Sequence, residues 1–432
     1  MNDLHASDLA HLWHPYTQIN AFEKSTFPII ERAEGVYLYD TEGRAILDGI
    51  SSWWACNLGH SHPKLVEAIR NQAEVLQHSI LGGMTHPSAI RLSEKLAEMT
   101  PGNLSRCFFA SDGASAVEAA LKISLQYWHN LGKPERNEFA TLADAYHGDT
   151  LGAMNVGYLP GFHAPYEAVL RKSYQAAFPS PDGHADEDLP SMETIIREHH
   201  NTLAAVILEP LCQGAAGMRI YSPEFLRQTR DLCNEHNILL IADEIAMGFG
   251  RTGEMFACNH ADVVPNILCL GKGLTGGTLP MSATVLTKEI YNTFRNEGGQ
   301  DRTFYHGHTF CGNPIASAVA LAALEIYQQP DFLPEVHARG ETLRKGIEAL
   351  SSYECVESTD HLGMIGVFNL RDSNKDGTEV ATSFAKQVAA KAFDLGLLIR
   401  PLGNVIYLLP PLVTTEDELK KMSEILERAL SI

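Results

Sequence analysis

Short apolar runs alternate with stretches of helical periodicity through the middle of the chain. Three runs are typical of buried strands: 203–208 (LAAVIL), 237–242 (NILLIA) and 267–270 (ILCL), each bounded by Gly, Pro or polar residues. Apolar residues recur with helical spacing at 116–128 and 335–350. Because alternating strands and helices build a parallel sheet covered by helices, this pattern predicts an α/β fold.

The C-terminal part of the chain follows a different pattern. A helix at 383–395 precedes strand-like segments at 397–399 and 405–409 and a closing helix at 416–430, which predicts a compact α+β unit. Since 432 residues are too many for one small core, we expect more than one domain. Pro330 and Pro334 indicate a boundary between residues 328 and 329.

Composition excludes several function classes. The formal net charge of -20 repels phosphate groups, so nucleic acids and anionic membranes are poor partners. No run of about 18 apolar residues indicates a membrane span. The first fourteen residues lack the apolar core of a signal peptide. The eight cysteines form no CxxC pair, which favours reduced thiols and a cytoplasmic location.

Two polar residues at the ends of apolar runs are candidates for chemistry. Lys272 lies between Gly271 and Gly273 after a strand, where a partly desolvated amine becomes a nucleophile. The alternative is a surface lysine in a turn. Asp243 follows four apolar residues, at the strand end where open α/β sheets bind ligands. The alternative for Asp243 is a carboxylate that caps a turn.

A possible anion site precedes the helix at 116–128. Segment 108–115 (FFASDGAS) leads from a strand into that helix, and free N–H groups at a helix start attract anions. Ser115 and Glu118 fit a capping box, so a plain capped helix is the alternative. The segment contains no P-loop motif.

Two further segments carry aromatic and polar side chains. Tyr146, in segment 144–150 (DAYHGDT), is suited to stack on a planar ring, although a core tyrosine is the more common case. In segment 305–314 (YHGHTFCGNP), Thr309 offers a hydroxyl to a phosphate. His306 and His308 resemble a metal pair, but no third ligand is evident and we expect no metal.

These five segments, in this order and spacing, resemble the class III (ω) aminotransferases of fold type I over nearly the whole chain. The most specific stretch is 243–253 (DEIAMGFGRTG), followed by Gly271, Lys272 and Gly273. The resemblance implies a pyridoxal 5′-phosphate (PLP) cofactor, a homodimer with active sites at the subunit interface, and small-molecule substrates. Residues 61–328 would form the large cofactor-binding domain with a mostly parallel sheet. Residues 329–432 would form the small α+β domain, with 1–60 joining it and covering the active site.

The resemblance also implies roles for individual residues. Lys272 would hold PLP as a Schiff base and then move the proton between substrate and cofactor. Asp243 would keep the ring nitrogen protonated, and Tyr146 would stack on or beside the ring. The phosphate would be held by the N–H groups of Gly113 and Ala114 and, from the other subunit, by His308 and Thr309.

Within the family, the chain resembles a branch that acts in biotin synthesis, with S-adenosylmethionine as amino donor and a long amino-oxo acid as acceptor. The segments that carry this likeness are 13–17 (WHPYT), 51–54 (SSWW), 213–219 (QGAAGMR) and 399–401 (IRP). Many relatives have Glu at the position of Ala215, where it gates an arginine for α-carboxylates. The Ala215 side chain makes a donor such as glutamate unlikely by this reasoning.

The same branch implies a set of substrate contacts. Arg400 would bind the carboxylate of the oxo acid, unless it is a surface arginine after a strand. Tyr16, Trp53 and Trp54 would form aromatic walls for the aliphatic chain. Gly307 would let the substrate approach the backbone closely, and Tyr407 and Arg251 would make secondary contacts.

The nearest rival function is an ω-aminotransferase acting on a diamine or a β- or ω-amino acid, and an aminomutase of the same family is a further alternative. A non-catalytic PLP-binding regulator would need a fused helix-turn-helix, for which the chain has no room. A nucleotide-binding α/β module would need a GxGxxG motif or a P-loop, and the expected positions have neither.

Overall fold

The N-terminal part of the chain forms two short helices and a small sheet. A computed structural model describes residues 3–179, 188–371 and 378–431. Helices α1 (Asp3–His11) and α2 (Ile19–Glu23) are followed by antiparallel strands β1 (Ile30–Glu34), β2 (Tyr37–Asp40) and β3 (Ala45–Asp48), and by the four-residue helical turn α3 (Ser51–Trp54).

The middle of the chain folds around one seven-stranded sheet. Its strands are β4 (Leu104–Ala110), β5 (Glu138–Leu142), β6 (Tyr174–Ala176), β7 (Leu203–Leu208), β10 (Leu239–Asp243), β11 (Ile267–Leu270) and β12 (Ser282–Thr287), in the order β4-β12-β11-β10-β7-β5-β6. The pairs from β11 to β6 are parallel, and β12 runs antiparallel to both of its neighbours. The prediction of an α/β fold with a mostly parallel sheet is confirmed.

Helices and two short strands surround this sheet. They are α4 (Pro63–Val75), α5 (Pro87–Met99), α6 (Gly113–Asn130), α7 (Leu151–Val156), α8 (Pro160–His163), β8 (Cys212–Gln213), β9 (Arg219–Ile220), α9 (Met192–His199), α10 (Pro223–Glu235), α11 (Lys288–Asn292) and α12 (Pro314–Tyr327). Strands β7 and β10 are buried along their full length, as expected for parallel strands covered on both faces. Strand β10 begins two residues later than predicted because Asn237 has the left-handed φ of 52° that ends α10.

The start of α6 differs from the capping box predicted at Ser115 and Glu118. The N-cap residue is Asp112, whose carboxylate accepts the Ser115 N–H at 2.9 Å and the Ser115 hydroxyl at 3.0 Å. Glu118 instead accepts the N–H of Gly152 at 2.8 Å. The prediction was wrong because Asp is as strong an N-cap as Ser, so the helix begins at Gly113.

The C-terminal part of the chain is an α+β unit. It contains α13 (Phe332–Ala349), β13 (Val356–Leu362), β14 (Ile365–Leu370), α14 (Thr378–Asp394), β15 (Leu397–Leu398), β16 (Val405–Leu408) and α15 (Glu416–Leu430). Strands β13, β14 and β16 form an antiparallel sheet, whereas β15 pairs in parallel with β3 of the N-terminal sheet. The first turn of α13 contains Pro334, where a missing N–H costs no helical hydrogen bond. The domain limits themselves stay a prediction.

The described helices are short or amphipathic. Among the residues that the structure describes, no helix combines the length and apolar content that a membrane crossing needs. Apolar packing is continuous between the large sheet and the C-terminal unit, because buried side chains of β7, β10, β14, β16 and α15 belong to one core.

Candidate active site

A cavity of about 440 Å³ opens at the carboxyl ends of three neighbouring strands. Glu209 directly follows β7, Asp243 ends β10, and Lys272 follows β11 by two residues. All three side chains line the cavity. Since parallel strands present their carboxyl ends at one edge of a sheet, the topology brings together residues that are far apart in sequence.

Lys272 sits on a strained turn against this cavity. Its φ is 41°, a left-handed value that side chains other than glycine rarely adopt, and its Nζ lies 5.2 Å from the centroid of the Trp54 ring. The Tyr327 hydroxyl donates to the carbonyl of Gly273 at 2.7 Å and holds the turn from below. Burial lowers the pKa of Lys272, although the charges of Asp243 and Glu209 oppose the shift. The amine is therefore a better nucleophile than a surface lysine.

Asp243 is 5% exposed and is held from two sides. One carboxylate oxygen lies 2.7 Å from Nδ1 of His147, and the other accepts the N–H of Ile245 at 3.1 Å. The Nε2 atom of His147 is buried without a hydrogen-bond partner among the described residues. Sequence reasoning missed His147, although it directly follows Tyr146 in a segment that we had selected. The pair fixes the position of the Asp243 carboxyl group on the cavity wall.

Glu209 is a second carboxylate that sequence reasoning missed. Burial, together with the charge of Asp243, raises the pKa of Glu209 to about 7. Its two oxygens accept the N–H groups of Tyr146, at 3.1 Å, and of Gly214, at 3.0 Å. The signal was available, since Glu209 follows the apolar run 203–208 as Asp243 follows its own strand.

The opposite end of the cavity is the first turn of α6. Gly113 and Ala114 line it, and their N–H groups belong to the first turn of a helix, which has no internal hydrogen-bond acceptors for them. A Cβ atom on Gly113 would lie 3.0 Å from Cγ2 of Ile245, so glycine permits the close packing. This turn is suited to an anion such as a phosphate group.

One wall of the site is aromatic. The rings of Tyr16 and Trp53 meet edge to face with centroids 5.6 Å apart, and the Arg400 guanidinium lies 4.2 Å from the centroid of Trp53. The Tyr16 hydroxyl donates to Asp149 at 2.6 Å and lies 3.4 Å from the hydroxyl of Tyr146. A cation therefore stands beside an apolar surface, as a fatty-acid-like ligand requires.

Trp54 continues the aromatic wall to Lys272. Its Nε1–H donates to the Tyr407 hydroxyl at 3.0 Å, and it is only 6% exposed. Gly214 allows the approach, because a Cβ atom there would lie 3.0 Å from the indole. Tyr407 is 1% exposed and contacts the site through Trp54, and its expected role as a substrate contact stays a prediction.

The residues brought together in this cavity are those of one enzyme family. The model of the family Aminotransferase class-III matches residues 19–430. The chain belongs to the class-III aminotransferases.

Individual relatives of this aminotransferase are similar over their full length. A Geobacter sulfurreducens protein named adenosylmethionine-8-amino-7-oxononanoate aminotransferase is 38% identical over 98% of this chain and 96% of its own. The crystal structure of the enzyme of that name from Methanocaldococcus jannaschii has a TM-score of 0.94 and 38% identity, covering 99% of this chain and 98% of that one. An amine transaminase from an uncultivated Pseudomonas species, solved in the PLP-bound form, has a TM-score of 0.88 and 32% identity, with 98% of both chains covered. These likenesses confirm the expected fold type I.

Arg251 of the aminotransferase, for which a substrate contact is expected, is held by buried polar groups. It is fully buried, and its guanidinium donates to the carbonyls of Met364 and Pro410 at 3.1 and 2.6 Å, and to Ser51 and Asn57. These groups occupy both terminal nitrogens in this structure, and the substrate contact stays a prediction. The side chain instead joins the segment around α3 to the C-terminal unit.

Gly307, His308 and Thr309 do not contribute to the cavity wall in the described part of the chain. The ring of His308 lies 5.3 Å from that of His306, whose Nδ1 is 3.0 Å from Nζ of Lys122 on α6. Among the described residues, no group of three His, Cys, Asp or Glu side chains is placed to hold a metal ion.

Glu209 predicts a pH dependence of stability. We expect the unfolding free energy of the ligand-free enzyme to fall as the pH rises from about 4.5 to about 7, by at most about 3 kcal/mol from this group. In this window the folded protein binds the extra proton, so raising the pH favours the unfolded state. Glu209→Gln removes the titratable group. It should therefore remove this contribution to the pH dependence of the unfolding free energy, as measured by denaturant unfolding between pH 4.5 and 8.

The matched control is Glu357→Gln, an exposed position on β13. This variant should keep the wild-type slope. If the stability difference between wild type and Glu209→Gln stays constant across the range, the buried carboxyl group is not the source of the slope.

Proposed function

We propose that the protein transfers an amino group from S-adenosylmethionine to 8-amino-7-oxononanoate, giving 7,8-diaminononanoate for biotin synthesis, with PLP as its cofactor. The observation that carries the proposal is the placement of Arg400 on an aromatic wall that leads to Lys272. Full-length relatives whose names contain both substrates support the same assignment.

The residues around the cavity fit PLP. A strand-end carboxylate, a shielded lysine amine and a helix start occupy three sides of it, and they match a pyridine nitrogen, an aldehyde and a phosphate. When bound, the cofactor supplies a carbonyl that exchanges amino groups and a ring that accepts electrons. Lys272 attaches it covalently and afterwards carries the proton at the reacting carbon. Asp243, held by His147, keeps the ring nitrogen protonated.

The other cofactor contacts come from residues with fixed neighbours. Tyr146, whose N–H is held by Glu209, lines the same cavity and is placed to cover the ring. The N–H groups of Gly113 and Ala114 hold the phosphate at the positive end of the α6 dipole.

The acceptor is a flexible aliphatic acid, and the site offers a contact to each part of it. Arg400 binds its carboxylate, in a position fixed by the Trp53 ring and by the Tyr16 carbonyl at 3.4 Å. Tyr16 and Trp53 cover the aliphatic chain, and Trp54 directs the keto end toward Lys272.

The amino donor is argued from Ala215. This small, partly buried apolar residue packs against the core directly after Gly214. A glutamate at this position would give the site a carboxylate that could switch an arginine between bound and free states. Without that glutamate the site lacks the switched arginine that would bind glutamate and release its keto acid. This absence supports S-adenosylmethionine as donor.

A homodimer in the cytoplasm completes the proposal. His308 and Thr309 would reach the phosphate of the neighbouring subunit, together with Gly307 at its substrate, which agrees with their position outside the cavity of their own chain. Phe310 and Met84 are 63% and 59% exposed, and a second copy would cover them. Among the described residues all eight cysteines are free, which supports a reducing compartment.

The amino donor is tested by a half-reaction. We expect S-adenosylmethionine alone to bleach the visible absorption of the loaded enzyme, and 8-amino-7-oxononanoate to restore it, because each substrate completes one half of the transfer. Lysine, glutamate and a diamine serve as comparison donors. Bleaching by a diamine with none by S-adenosylmethionine would assign the protein to another ω-aminotransferase branch.

Lys272→Ala tests the covalent attachment. Turnover should fall at least about 1,000-fold, since the variant loses both the nucleophile and the proton carrier. Borohydride should add the mass of the reduced cofactor to wild type and none to the variant, as read by mass spectrometry. Lys288→Ala, an exposed position, is the control and should behave as wild type. Retained transamination by Lys272→Ala is the result that contradicts the assignment.

Arg400→Ala tests the carboxylate contact. We expect the KM for the oxo acid to rise roughly 10- to 100-fold, with a much smaller change in the KM for the donor, because a charged hydrogen bond is lost. Steady-state kinetics with each substrate varied in turn measures both. The control is Arg227→Ala on the exposed face of α10. Equal effects on both substrates count against this role.

A further inference from the structure

The turn α3 that carries both active-site tryptophans has a left-handed backbone. Ser51, Ser52, Trp53 and Trp54 have φ values of 50°, 44°, 78° and 68°, and none is glycine. The Trp54 N–H donates to the carbonyl of Ile50 at 2.8 Å, which closes one turn of a left-handed helix. Residues with a Cβ atom disfavour this conformation, so four in succession must be held by their surroundings.

The left-handed turn has a direct consequence for the active site. Of its two consecutive indoles, that of Trp54 lines the cavity next to Lys272, and that of Trp53 lies beside the cavity, 4.2 Å from the Arg400 guanidinium. If the turn relaxed to an extended or right-handed backbone, the two side chains would point in other directions. The aromatic wall therefore depends on whatever keeps α3 in place.

A buried ion pair grips the turn from below. One carboxylate oxygen of Asp48 accepts the Ser52 hydroxyl at 2.8 Å and lies 2.9 Å from Nε2 of His60, while the other accepts the N–H of Ile50 at 3.2 Å. Asp48 has no exposed surface, and the side chain of His60 is 11% exposed. The Asp48 carboxylate thus binds Ile50 and Ser52, the residues on either side of Ser51 at the start of α3.

The charge state of the pair suits this grip. Burial opposes the charge of His60, but its hydrogen bond with Asp48, aided by nearby Cys56, raises the pKa of His60 to about 9. Burial likewise opposes the charge of Asp48, yet His60 and Ser52 lower its pKa below the ordinary value. The charge of Asp48 also acts on the guanidinium of Arg251, whose pKa it raises against the effect of burial. Both partners are charged at neutral pH, so neither is a lone buried charge.

We propose that Asp48, held by His60, is a positioning residue that keeps Ser51–Trp54 left-handed and thereby sets the aromatic wall of the active site. The pair lies outside the cavity and acts through Ser52. We call Asp48 and His60 the clamp. The clamp rests on geometry alone, whereas the substrates that measure its effect rest on the proposed function.

Two substitutions at Ser52 separate the clamp from an ordinary packing role. Ser52→Ala loses the hydrogen bond to Asp48 and keeps the backbone strain. Ser52→Gly loses the same bond but adopts a left-handed φ without strain. We expect Ser52→Ala to raise the KM for the oxo acid at least about fivefold with kcat less affected, and Ser52→Gly to stay within about twofold of wild type.

Ser61 provides the matched control. It is also a serine with a left-handed φ, 53°, and its hydroxyl donates to the carbonyl of Ala33 at 2.7 Å, away from the aromatic wall. Ser61→Ala and Ser61→Gly should leave both KM values unchanged. Equal KM shifts for the two Ser52 variants, a larger shift for glycine than for alanine, or the same pattern at Ser61 would overturn the proposal.

A second measurement needs no substrate. Acrylamide quenching of tryptophan fluorescence in the folded holoenzyme should increase in Ser52→Ala, because Trp54, 6% exposed in wild type, loses its support. It should stay near wild type in Ser52→Gly. Unchanged quenching in Ser52→Ala overturns the clamp whatever the enzyme acts on, and failure of the wild type to use the oxo acid contradicts only the proposed function.

Discussion

One lysine amine and two carboxyl groups line one cavity at the carboxyl edge of the sheet, and the rest of the site is arranged around them. Burial disfavours the charged form of Lys272 and of Glu209, while each group's charge favours the opposite charge on the other. Asp243 lies beside them with its two oxygens bound to His147 and to a backbone N–H. The site therefore combines a carboxyl group whose pKa is raised to about 7 with an amine whose pKa is lowered. Groups whose proton affinities are shifted toward one another in this way are suited to acid–base chemistry on an amino group.

Left-handed backbone occurs at two places beside this cavity. Lys272 and the turn Ser51–Trp54 both have left-handed φ values, and each is supported by hydrogen bonds from outside the cavity. Asn57 links the two turns. Its side chain accepts at 3.1 Å from Arg251, which also donates to Ser51, and it lies against Gly273. Rigid placement of this kind lets the amine and the aromatic wall keep their relative positions while substrates exchange.

The features that sequence predicted are those that one stretch of chain decides locally. The strands at 203–208 and 267–270 were predicted with their observed bounds, and the Lys272 and Asp243 positions followed from apolar runs that end in a polar residue. The features that it missed depend on contacts between distant segments. Nothing within α3 announces that its four residues are left-handed, because the reason lies in Asp48 and His60. The buried partners of Arg251 were missed for the same reason, since a buried arginine and a ligand-binding arginine look alike until their partners are known.

The buried Arg251 also shows why the N-terminal segment belongs with the C-terminal unit in the working of the site. Its guanidinium bridges Ser51 in the N-terminal part and the carbonyls of Met364 and Pro410 in the C-terminal part. Strand β3, which ends at Asp48, pairs with β15, and the chain reaches Arg400 two residues after that strand. Trp53 and Arg400 meet at 4.2 Å because these links fix both to one framework. A shift of the C-terminal unit against the large sheet would therefore carry the carboxylate-binding cation and the tryptophan turn together. Within this framework the carboxylate-binding cation and the tryptophan turn keep one spacing, so the aromatic wall stays intact as a unit.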